Sequence, residues 1–131
     1  MYLQCSMGTL RYSLDGGHKL IVAVDQGIVD FYKALIPKYV DCKPQRYGAH
    51  ISVVRNEVPP NLSCWGKYEN KQIQFVYDLT IHEGSVYFWL NAFSTDLEYI
   101  RQELGLPISS EYTRPPDTYE KVFHITLANK K

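Results

Sequence analysis

The 131-residue chain lacks several features that would each mark a class of protein. It has no charge imbalance, since 14 Lys and Arg stand against 14 Asp and Glu. A protein that grips long nucleic acid neutralises many phosphates and needs a clear basic excess, so no long nucleic-acid partner is expected. A small anion held by a few focused groups is left open. No apolar run approaches the roughly 20 residues of a membrane helix, so no membrane partner is expected. No charged start followed by a long apolar stretch suggests a signal peptide. Cys5, Cys42 and Cys64 lie far apart without a CxxC pair, which fits free thiols in a reducing compartment and a cytoplasmic protein. There is no HExxH, no DxD and no Cys/His cluster, so neither a metal nor a cofactor is expected. Low-complexity tracts and close sequence repeats are missing too.

What the chain does have is apolar and aromatic material. Hydrophobic residues make up 45% and charged residues 21%, which suits one soluble domain spanning 1–131. The 11 tyrosines suit strands and half-wet pockets, where an apolar ring carries a hydroxyl that needs a partner.

Patterning then orders the elements. Gly8 to Tyr12 and Lys19 to Val24 read as strands joined by the Asp15-Gly16-Gly17 turn. Asp25 can cap a helix carrying Ile28, Val29, Phe31 or Tyr32, Leu35 and Ile36 at helical spacing, with Pro37 at its end. A turn-rich stretch, Asp41 to Gly48, leads into the β-branched strand Ala49 to Val54. Pro59, Pro60, Asn61, Gly66 and Asn70 make 56–70 a loop. Ile73 to Ile81 and Ser85 to Phe93 alternate as strands, with His82-Glu83-Gly84 as the turn between them. Ser94 or Thr95 caps a second helix that Gly105 stops. Pro107 to Asp117 is loop, and Tyr119 to Leu127 is the last strand. The order is hairpin, helix, strand, repeated once. It predicts an α+β fold of two pseudo-symmetric lobes of antiparallel strands, with helices on the outside and a central cleft.

Both final strands carry the same pattern. His50-Ile51-Ser52-Val53 and His124-Ile125-Thr126-Leu127 each read His, apolar, hydroxyl, apolar. Strand side chains alternate, so each imidazole and hydroxyl share a face about 7 Å apart, while the isoleucines face the core. His18 and His82 sit at predicted turns and lack the pattern. Two imidazoles titrating near neutrality can divide proton removal and proton delivery between them. Two hydroxyls can donate to oxygens on which charge develops. A half-buried structural His would be the plain reading of either strand alone. The matched pair in matched halves points instead to phosphodiester cleavage without a metal.

Paired His-x-Ser/Thr strands in a small α+β chain resemble the 2H phosphoesterase superfamily. The resemblance implies His50 and His124 as the acid–base pair and Ser52 and Thr126 as phosphate-holding hydroxyls. That superfamily includes cyclic phosphodiesterases that open 2',3'-cyclic RNA ends. It also includes compact phage anti-CBASS enzymes that destroy the cyclic oligonucleotide alarm signals of bacterial defence. The short length, the early Tyr12, and Arg46-Tyr47-Gly48-Ala49 leading into His50 look more like the phage group. The substrate so implied is a cyclic di- or trinucleotide, met in the host cytoplasm. The alternatives are a 2',3'-cyclic end or a sponge that binds a cyclic nucleotide without cleaving it.

Five further residues are candidate substrate contacts. Tyr12 could stack on a base or bond a phosphate, or be structural. Arg46 could reach an anion, or be solvated. Trp65 could cover a base, or pack its loop onto the body. Tyr119 and Glu120 precede the second histidine strand and could line the cleft, or play no part in it.

Overall fold

A computed structural model describes residues 3–40, 42–43, 48–115 and 123–130. The elements in chain order are β1 (Leu3–Ser13), β2 (Lys19–Ala23), α1 (Gln26–Lys33), β3 (Cys42–Lys43), β4 (His50–Val54), β5 (Gln72–Asp78), β6 (His82–Glu83), β7 (Tyr87–Phe93), α2 (Thr95–Glu103) and β8 (Phe123–Lys130). The local signals act where the sequence places them. Gly16 and Gly17, at φ 76° and 108°, make the β1–β2 turn in a region that costs other residues strain. Asp25 accepts from the Gly27 N–H and Ser94 from the Leu97 N–H, so each helix begins on a side-chain cap.

Several boundaries differ from the pattern reading. The first strand begins at Leu3 and the first helix ends at Lys33. The expected turn at His82-Glu83 includes a two-residue strand paired with β7. The strand expected to reach Ile81 stops at Asp78, whose buried carboxylate accepts from the Asn91 N–H and bonds the His82 ring. Those bonds pull the chain out of the ladder.

All strand pairs are antiparallel. The strands form one sheet in the order β3-β8-β4-β2-β1-β5-β7-β6, and β8 also pairs with β7. The ring β1-β2-β4-β8-β7-β5 is therefore closed, a six-stranded barrel with two helices, and the fold is α+β. The expected halves are not separate lobes, because β1–β5 and β4–β8 pairing joins them into one continuous sheet. Closure leaves no free edge within the ring, which removes a template for aggregation.

A single apolar core lies against one face of these strands. Leu10, Leu20, Val22, Ile51, Val53, Leu90, Ile125 and Leu127 are fully buried in it. Val29 of α1 and Leu97 and Ile100 of α2 join the same cluster. Each such side chain contributes roughly 1.5–3 kcal/mol by leaving water. No described helix is long and apolar enough to cross a membrane.

Candidate active site

The two histidine strands are hydrogen-bonded neighbours, with Ile51 opposite Ile125. Both isoleucines are fully buried in the core. Alternation then turns His50, Ser52, His124 and Thr126 to the other face. Stepping one residue outward in antiparallel register sets His50 across from Thr126 and Ser52 across from His124. Four groups expected from sequence thus become a compact square on adjacent strands.

That square lies in a cleft of about 730 Å³ lined by β2, β4, β8 and β7. Lys19, Ile21 and Ala23 come from β2, Tyr87 from β7 and Asn129 from β8, with Arg55 and Asn56 following β4. Among the described residues two cations line the cleft and no Asp or Glu does, so a neutral chain still offers a focused anion site. A smaller groove of about 370 Å³ beside Gln74, Ser94 and Asp96 contains none of these groups. Among the described residues no group of three or more His, Cys, Asp and Glu side chains is placed to hold a metal ion.

Each imidazole is fixed through Nδ1. His50 Nδ1 donates to the Gly48 carbonyl at 2.7 Å, and His124 Nδ1 donates to the Thr113 carbonyl at 3.0 Å. A carbonyl can only accept, so in each neutral ring the lone pair sits on Nε2. The Tyr87 hydroxyl donates to His124 Nε2 at 3.1 Å, its ring stacked on the imidazole.

Burial disfavours the charged forms. His124, 8% exposed, is held down to about 4, first by burial, against an upward pull from the Thr113 carbonyl, with the nearby His50 and Arg55 adding lesser downward effects. His50 is only half-buried and lies below the ordinary imidazole value, again first through burial, with Arg55 and Lys19 adding to the effect. Burial pushes the Tyr87 hydroxyl up to about 12, so it remains a donor. Both rings therefore favour the neutral form at pH 7.

The cleft also holds functional groups that sequence reasoning missed, Arg55 foremost. Simple alternation along β4 puts Val54 beside Ser52 and turns Arg55 toward the core. Instead the register slips: Ile21 pairs with Ser52, Leu20 pairs with Val54, and Val53 is skipped. This β-bulge buries Val53 and Val54 together and brings Arg55 round to the cleft. β8 repeats the device. Trp89 pairs with Thr126, Phe88 with Ala128, Leu127 is skipped, and Asn129 reaches the cleft. Each motif is thus a six-residue bulged strand, His50-Ile-Ser52-Val-Val-Arg55 and His124-Ile-Thr126-Leu-Ala-Asn129. The legible signal was the doubled apolar pair after each hydroxyl, which breaks strict alternation.

Two expected substrate contacts stand elsewhere. Tyr12 pairs with Leu20 and is in phase with Leu10, so it sits on the core face, opposite the cleft. Trp65 packs edge-on against Tyr12 at 5.0 Å and against His18 at 4.9 Å, fastening its loop to the body. Neither lines the cleft. Arg46, Tyr119 and Glu120 lie outside the described residues.

Comparison with protein-family models, with curated proteins and with solved structures finds no match for this chain.

Proposed function

We propose that this protein is a metal-independent phosphodiesterase of the 2H phosphoesterase type, acting on a cyclic di- or trinucleotide. The observation that carries the reading is the convergence of His50, Ser52, His124 and Thr126 on one cation-lined cleft. Its volume falls in the range that encloses small ligands. The pairing order supports a pseudo-twofold arrangement. The ring β1-β2-β4-β8-β7-β5 is unchanged when β1, β2 and β4 are exchanged with β5, β7 and β8. That exchange maps His50 onto His124, and it maps one bulge onto the other.

The roles follow from the environments. An arriving phosphate anion favours both imidazolium forms. His50 has more solvent and takes the proton, so it serves as acid. His124, neutral with its lone pair on Nε2, serves as base once the attacking hydroxyl or water displaces the Tyr87 hydroxyl from that lone pair. The attacking hydroxyl or water gives its proton to His124 as its oxygen bonds phosphorus. The opposite P–O bond breaks, and its oxygen takes the proton from His50. Ser52 and Thr126 donate to the non-bridging oxygens, and Arg55 opposes the charge that builds there.

The test is product analysis of EDTA-treated protein against cyclic dinucleotides, cyclic trinucleotides and 2',3'-cyclic mononucleotides. Linear product from the first two is expected, and it should be lost in His50→Ala and His124→Ala. Tight binding with intact nucleotide recovered would overturn the reading in favour of a sponge.

A further inference from the structure

Arg101 is fully buried on α2, outside the cleft, in a position where an arginine is costly unless every donor is used. Its guanidinium forks onto Glu57 at 2.9 and 3.2 Å. Two more donors go to backbone carbonyls. One reaches Val53 O at 2.7 Å and another reaches Pro107 O at 2.7 Å. Glu57 has one more partner, the Ser110 hydroxyl at 2.7 Å.

These contacts end at the cleft along two routes. Val53 is the residue skipped in the β4 ladder, and its carbonyl points to Arg101. The bulge that turns Arg55 into the cleft is thereby pinned. Asn56, at φ 54°, then reverses the chain so that Arg55 and Glu57, two residues apart, serve different sides. Along the second route, Ser110 is tied to Thr113, its N–H donating to Thr113 Oγ1 at 3.0 Å while the Thr113 N–H returns to Ser110 O at 3.1 Å. Thr113 is fully buried, and its carbonyl holds His124 Nδ1. Among the described residues His50 is held more locally, by its acceptor Gly48 two residues away on its own strand approach.

We infer that the Glu57–Arg101 pair is a positioning clamp for the active site, setting the His124 tautomer through Ser110 and Thr113 and the place of Arg55 through the Val53 bulge. The inference rests on the phosphodiesterase reading for its functional meaning. Glu57, Arg101 and Ser110 touch no substrate. They keep the His124 lone pair on Nε2, facing the cleft, and keep a cation over the reacting phosphate. Second-layer contacts of this kind hold reacting groups to within fractions of an ångström, and small misplacements cost up to about a hundredfold in rate.

The test uses Ser110→Ala, which cuts the link to the loop and leaves the buried ion pair, and Glu57→Gln, which removes its charge. Long-range 15N–1H spectra read the tautomer and titration of each histidine ring without any substrate. In both variants His124 should lose its single Nδ1–H tautomer and titrate still lower, because the Thr113 carbonyl is the contact that pulls its value up, while His50 stays as in the wild type. The kcat should fall by about tenfold to a hundredfold with KM less affected, and Ser110→Thr should restore both readouts. A folded Ser110→Ala protein with an unchanged His124 tautomer and titration would overturn the clamp. If the wild type cleaves no phosphodiester, the proposed function fails, and the ring spectra still decide the clamp.

Discussion

Substrate binding should recharge the cleft, and the size of the effect can be worked out. With His124 held to about 4, only about one ring in a thousand is protonated at pH 7. A phosphodiester monoanion seated about 4 Å from the ring attracts the imidazolium by about 4 kcal/mol at an effective dielectric constant near 20. At about 1.4 kcal/mol per unit, that is roughly 3 units upward, to about 7. The sign is fixed, since an opposite charge favours the protonated form. The shift makes His124 a competent base at neutral pH and pulls His50 in the same direction. The assay is an NMR titration of both rings with and without saturating dimethyl phosphate, a diester anion that does not titrate in this range. The His124 midpoint should rise by roughly 3 units, and binding in two buffers of different ionisation enthalpy should show proton uptake. A midpoint still near 4, with occupancy confirmed by shifts at Thr126 and Arg55, would refute the reasoning.

Three other outcomes are expected. His50→Ala and His124→Ala should each lower kcat by about 10²–10⁴, and the double variant little more, because acid and base act as a unit; product formation under single-turnover conditions measures this. Arg55→Ala should lower kcat/KM by at least about tenfold and raise the titration midpoints of both histidines, since its charge opposes both imidazolium forms; NMR checks the second point independently of activity. Acid should destabilise the wild type through His124. Its folded value lies below the unfolded one, so the unfolded chain binds the extra proton, and stability falls as pH drops from about 6.5 to about 4. The loss should be about 3 kcal/mol relative to His124→Gln, read from urea unfolding across a pH series, and equal losses in both proteins would contradict it.

The sequence by itself determined the local units of this protein. The Gly16-Gly17 turn, the Asp25 and Ser94 caps and the alternation around Ile51 and Ile125 act through neighbours in the chain, so residue type was enough to place them. The same alternation put an imidazole and a hydroxyl on one face of each strand, which is most of the candidate chemistry. Even the misplaced Tyr12 was legible in principle, since it is in phase with Leu10 on an apolar face.

Tertiary structure decided the rest, because long-range pairing has no local signature. Closure through β1–β5 and β4–β8 turned two expected lobes into one barrel and set the two motifs side by side. Two bulges, each a matter of register against a partner strand, reversed the parity that would have hidden Arg55 and Asn129. The acceptor that fixes His124 lies eleven residues away in a loop, and the hydroxyl on its other nitrogen comes from Tyr87, across the sheet. An imidazole's type is written in the sequence. Its tautomer, its charge and its reach depend on what the fold packs against it.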